Sequence, residues 1–327
     1  MVRSKHVPYL LGVDLGSGSS RTAVCRRATD QAGWGPPEPV PSDVPPAVRG
    51  LLRLCGDDVP VFADDLFITP QALVVEQARK AADLVWEREQ EPPERVAVAY
   101  PTAWGPARVG LMRAALDDGG LVGVALVTRA RAVVERHRAS GRPVAPGRVV
   151  AVCRIGRAST EVSLVIPHEP GRMELLGAAE ADDLGGDDLA AGTPADTRAV
   201  LGAVVDLMRR TGRACGVEPA DLAAVLLAGG GAMSPLVTAV LAEATAAPVI
   251  REDDPRLTVA CGAALSIRPA SEIPQPHALP VPVVPVPAVE VPVLPTSLVP
   301  TMSGPAGPGE IPPRPPLHVT ALEVSGR

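Results

Sequence analysis

Apolar positions in the first 268 residues fall into short runs separated by glycine, proline and polar clusters. Runs at 9–13, 21–25, 96–100, 122–128, 149–153, 161–166, 222–228 and 248–250 predict strands, because each is brief, bounded by turn residues and rich in valine or leucine. Segments of helical period lie between several of them. Thr69-Pro70 is a cap followed by a first-turn proline and predicts a helix to about residue 88, with Leu73, Gln77, Lys80 and Leu84 marking successive turns. A second helix is predicted from about Gly105 to Asp117, and Ser234-Pro235 repeats the cap signature ahead of a third. Residues 9–25 and 149–166 each read strand, glycine-containing turn, strand, as if one unit were used twice. The expectation is an α/β chain of two lobes. The proline-rich stretch 33–59 predicts loop and short strands rather than a subdomain.

Composition changes after Arg268, where 16 of the 59 residues from 269 to 327 are proline. Proline removes amide donors and fixes φ, so this segment predicts an extended, disordered arm. The resulting division is a first lobe at 1–142, a second at 143–268 and a tail at 269–327. Within the tail, Pro312, Pro313, Arg314, Pro315 and Pro316 suit an aromatic groove as a polyproline ligand, or serve as plain linker. Residues 318–324 alternate weakly, as a strand added to a partner's sheet would.

Only seven residues are aromatic, so the core must be built from alanine, valine and leucine. The net charge of −6, with no basic block or stripe, speaks against nucleic acid and an anionic membrane surface as partners. The first residues lack an apolar run of secretory length, and no stretch is long enough to span a bilayer. Cys25, Cys55, Cys153, Cys215 and Cys261 are scattered without a paired spacing, which predicts reduced core thiols and a cytoplasmic address. Oligomeric state is not legible.

Two motifs carry candidate chemistry. In the first, Gly12-Val13-Asp14-Leu15 leads into the turn Gly16-Ser17-Gly18-Ser19. Amides of such a turn can cradle phosphate oxygens, and an aspartate at a strand end can orient the water shell of Mg²⁺. An ordinary hairpin with a glycine and serine turn would look the same. In the second, Ala228 precedes Gly229, Gly230 and Gly231, which let backbone approach a flat ligand closely or simply turn the chain into a helix.

Taken in order, these segments resemble the nucleotide-binding domain of DnaK-type (heat shock protein 70) chaperones. Asp14-Leu15-Gly16 resembles the first phosphate loop, and residues 95–104 the connecting strand and helix start. Residues 149–165 stand where the second phosphate loop lies, Leu184-Gly185-Gly186-Asp187-Asp188 matches the following glycine pair, and 225–235 resembles the adenosine loop. Asp254-Pro255 with Gly262-Ala263-Ala264 resembles the closing helix. The resemblance implies an actin-like, ribonuclease H-like fold that binds ATP or ADP with Mg²⁺. Asp14, Gly16, Ser17, Gly18, Ser19, Gly156, Ser159, Gly185, Gly186, Gly229, Gly230 and Gly231 would line the cleft, with Asp14 reaching the metal through water.

The departures from that pattern gather at the chemistry. The second loop reads Cys153-Arg154-Ile155-Gly156-Arg157-Ala158-Ser159-Thr160-Glu161, so Arg154 stands at the metal-side aspartate and Arg157 and Ala158 replace cradle glycines. Arg129 stands where the family begins its crossing helix with glutamate, Met233 where an arginine stacks on adenine, and no counterpart of the catalytic lysine is found. Two arrangements are open. Arg154 and Arg157 could hold phosphates as guanidinium forks, or Arg154 could pair with Asp14 and close the pocket. Two functions follow as expectations. One is a chaperone-related ATP-binding protein with weak or lost hydrolysis and no peptide-binding domain. The other is a nucleotide-independent pseudo-ATPase scaffold that binds a protein partner through the cleft or the proline-rich tail.

Overall fold

The structure is a computed structural model and describes residues 7–269 except 29–32, 43, 49, 58, 64, 142–145, 191 and 192. The expected disordered tail, its polyproline motif and the strand at 318–324 lie outside the described residues.

The first half contains β1 (Tyr9–Asp14), β2 (Arg21–Arg27), β3 (Trp34–Val40), the single turn α1 (Leu51–Leu54), β4 (Val61–Ala63), β5 (Leu66–Ile68), α2 (Pro70–Glu89), β6 (Arg95–Tyr100), α3 (Pro106–Asp118), β7 (Ala125–Thr128) and α4 (Arg129–Ala139). The second contains β8 (Val150–Ile155), β9 (Thr160–Pro167), β10 (Met173–Ala181), α5 (Gly186–Ala190), α6 (Pro194–Ala214), β11 (Ala224–Ala228), α7 (Pro235–Thr245), β12 (Val249–Arg251) and α8 (Thr258–Ser266). Two five-stranded sheets result, ordered β3-β2-β1-β6-β7 and β10-β9-β8-β11-β12. In each, the first three strands of the half run antiparallel and the last two join in parallel. The chain is therefore α/β with one sheet topology built twice.

Strand periodicity divides the interior into layers. Tyr9, Leu11 and Val13 of β1 face outward onto α2 and α3, while Leu10 faces inward. In β8, Ala151, Cys153 and Ile155 face α6 and α7, while Val150 and Val152 face inward. The inward residues of both sheets meet α4 and α8 in one shared central core. That core is alanine-rich where the helices press closest, which explains how so few aromatics suffice.

Most predicted strands are present within a few residues, and Thr69 caps α2 by accepting from the Ala72 amide. The stretch 33–59 supplies a strand as expected: β3, seven residues with three prolines. It sits at the sheet edge, where an absent amide breaks no ladder on the outer side. Several other expectations need correction. Lys80 and Leu84 do not mark the buried face of α2, which runs through Leu73, Val74, Gln77, Ala78, Ala81 and Val85. Ser234 stands at the N-cap of α7 without a side-chain cap bond. The strand predicted from Val122 begins at Ala125, and Val122 is exposed. Among the elements that escaped prediction are the hairpin β4–β5, the bulged edge strand β10 and the 21-residue α6, which Thr193 and Asp196 start with a reciprocal capping box.

Among the described residues no helix is long and apolar enough to cross a membrane. All five cysteines are free thiols, four buried and Cys215 half-buried. Burial pushes the Cys153 and Cys261 thiols up to about 12, where thiolate is scarce. Titration of the native protein with a maleimide is expected to modify Cys215 first, the other four reacting only after unfolding. Rapid modification of all five would contradict the buried placements.

Candidate functional site

The first phosphate-loop motif and the second meet where β1 and β8 end. Asp14 is the last residue of β1, Arg154 lies next to the end of β8, and Arg129 opens α4 directly after β7. Glu161, near the start of β9, faces Arg154 across the ladder. Their exposures are 4%, 6%, 3% and 2% respectively, so four ionisable groups share a nearly dry space.

The ion pairs are loose and shared. Arg154 Nη2 stands 3.4 Å from Asp14 Oδ2, and Arg129 Nε 3.5 Å from Asp14 Oδ1. Arg129 Nη1 lies 3.8 Å from Glu161 Oε2, and its Nη2 donates to the Leu15 carbonyl at 3.0 Å. Burial pushes the Glu161 carboxyl up, and the Arg129 guanidinium pulls it partly back. Burial, then the neighbouring Arg154 charge, pushes Arg129 down, with Asp14 and Glu161 opposing. Arg129 also sits in the first turn of α4, where the helix dipole disfavours a cation. Its two carboxylate neighbours hold it there.

Amides of the second loop and of the glycine pair that follows it are bonded within the protein. Ala158 N–H donates to Ser17 Oγ at 3.2 Å, joining the two loops directly. Gly156 N–H donates to the Ser159 carbonyl, Gly186 N–H to the Gly156 carbonyl, and Gly185 N–H to Asp188 Oδ2. Arg157 lies against Gly18 with its Nε 3.0 Å from Asp187 Oδ1, and its side chain is largely exposed. Gly229, at φ 88°, and Gly231 lie so close to Ile155 that an added Cβ would fall 2.3 and 2.2 Å from its atoms. They permit backbone packing against β8. Gly230 lies in more open space, and Met233 is largely exposed on the turn before α7.

What remains is a cleft of about 480 Å³, counting the part open to solvent, lined by Gly16, Ser17, Arg129, Arg154 and Ser159. It also contains Arg53, Glu180 and Asp182, which the sequence did not single out. Ser159 Oγ donates to Glu180 Oε1 at 2.9 Å, and Arg53 Nη1 donates to the Asp182 carbonyl at 3.3 Å, tying α1 to the end of β10. Burial, helped by Glu180, pushes the Asp182 carboxyl up. These residues were hidden because α1 is a single turn inside a proline-rich stretch, and β10 has a weak alternation broken by its bulge at Leu175 and Gly177.

The residues do not fit Mg²⁺ at Asp14. Both carboxylate oxygens face guanidinium groups, and a divalent ion about 4 Å from one guanidinium would meet roughly 8 kcal/mol of repulsion at an effective dielectric near 20. Among the described residues no group of three or more histidine, cysteine, aspartate or glutamate side chains could hold a metal ion. The cleft does not suit a bare polyphosphate either. Its lining sets Arg53, Arg129 and Arg154 against Glu180 and Asp182, and Arg129 and Arg154 are already engaged by Asp14 and Glu161 beside the cleft. No protein-family model matches the chain, and no curated protein matches it.

Proposed function

We propose that this chain is an actin-like pseudo-ATPase, related to the nucleotide-binding domain of DnaK-type chaperones, that serves as a scaffold for a protein partner. The observation that carries this reading is the buried Asp14–Arg154 pair, with Arg129 on the other oxygen of the same carboxylate. A phosphoryl-transfer site needs a metal, a positioned water and anion donors. Here cations stand at the metal position, amides of the second loop are bonded within the protein, and Arg157 pairs with Asp187. The paired arrangement of Arg154 thus has support in its geometry that the phosphate-fork arrangement lacks. The ordered motif resemblance and the twice-built sheet topology support the actin-like assignment. The partner would engage the outer surface of the lobes or the residues after 268.

Titration calorimetry of ATP and ADP into the full chain, with and without Mg²⁺, tests the reading. No heat at millimolar nucleotide is expected in either condition. Micromolar binding that strengthens with Mg²⁺ and disappears in Asp14→Ala would overturn it and restore an ATP-binding chaperone-like protein. Binding indifferent to Mg²⁺ and weakened by Arg154→Ala would overturn it in favour of the fork.

A further inference from the structure

Both phenylalanines of the chain sit on one surface hairpin, β4–β5. It forms a two-stranded sheet of its own, pairing Val61 with Ile68 and Phe62 with Phe67. Val61 and Ile68 turn onto the core beneath, so the strand period sends both phenylalanines outward. They are 62% and 76% exposed, with ring centroids 5.3 Å apart, and Val59 and Leu66 beside them are 73% and 61% exposed. A chain so poor in aromatics leaves this pair in water, the usual mark of a covered surface.

Charge narrows what covers it. Residues 54–78 contain no lysine, arginine or histidine, but carry Asp57, Asp58, Asp64, Asp65 and Glu76. Asp57 and Asp65 are exposed. A twofold contact with a second copy would set these aspartates against their own counterparts. An anionic membrane would repel them. The chain's own residues 270–327 hold four glutamates against two arginines and offer no complement.

We propose that the β4–β5 hairpin is a docking site for a segment of another protein in which apolar side chains alternate with lysine or arginine. Phe62 and Phe67 provide the apolar platform, and the aspartates meet the cations. Among the described residues neither strand pairs with a further strand, so an edge is open for main-chain hydrogen bonds. This goes beyond the scaffold reading, and nucleotide titration of the cleft leaves its test untouched.

The test is fluorescence anisotropy of a short labelled peptide of alternating lysine and valine, titrated with the full chain. Binding is expected, weakening as salt rises. Phe62→Ser with Phe67→Ser should lower affinity about tenfold or more, since buried aromatic anchors dominate such contacts. Asp57→Asn with Asp65→Asn should weaken it several-fold and flatten the salt dependence. Asparagine tolerates the left-handed backbone of Asp65 (φ 61°), so that pair keeps the fold if the phenylalanine pair does not. Absence of binding, or binding that neither pair of substitutions alters, would overturn the proposal. So would a dimer in sedimentation that the phenylalanine variant abolishes, stronger binding of a peptide of residues 279–295, or hairpin-dependent binding to phosphatidylserine vesicles.

Discussion

Asp14→Leu is expected to destabilise the protein by about 3–5 kcal/mol, because it leaves the buried Arg129 and Arg154 guanidiniums facing each other with Glu161, and Glu180 of the cleft, as counter-charges. For a core of this size the melting temperature should fall by on the order of 10 °C. The double replacement Asp14→Leu with Arg154→Leu should recover much of that loss, since it removes one charge of each sign and keeps the Arg129–Glu161 pair. Thermal and urea denaturation of the wild type, both single variants and the double variant give the coupling energy. A coupling below about 0.5 kcal/mol would mean that solvent already screens these groups, and the closed reading of the cleft would fail with it.

The second large effect concerns no charge at all. Gly262→Ala would place a Cβ 1.7 Å from the Ala132 carbonyl oxygen, where α8 crosses α4. Gly12, on β1, is held as closely, its missing Cβ 2.2 Å from the Ala260 carbonyl on α8. Neither obstacle is a flexible side-chain tip, so the helices themselves would have to separate. Each substitution is expected to cost about 3 kcal/mol or more, at the upper end of overpacking effects. The same change at Gly105 or Gly110, where nothing lies within 4 Å, should cost little by sterics. Equal melting temperatures for Gly262→Ala and the wild type would contradict the α4–α8 contact as described.

Much of the fold was legible because the inner strands obey a simple rule. β1, β6, β8 and β11 are buried on both faces, so their sequences are continuous apolar runs. The edge strands were harder. β3 carries prolines that argue against a sheet interior, and β10 alternates poorly around its bulge. In the site, Asp14 and Arg154 were found through motif order, and their pairing was one of two arrangements left open. Arg53, Glu180 and Asp182 were missed because they come together through tertiary contact between α1 and β10, and neither stretch carries a periodic signal. Gly12 falls within the first strand run and Gly262 within the closing-helix motif, and neither stretch marks its glycine as a point of close approach. Only the helix crossing reveals why a methyl group is forbidden there.

The central layer decides how the gene can be dissected. The two halves repeat one topology, yet their inward faces share a single core with α4 and α8. α8, the last helix of the second half, packs chiefly on α4 and on the first sheet, all supplied by the first half. Each half expressed alone would therefore lack a wall supplied by the other and expose the inner face of a five-stranded sheet. A gene cut between α4 and β8 should yield fragments that are insoluble separately and become soluble when co-expressed. The pattern is written twice, but folding happens once.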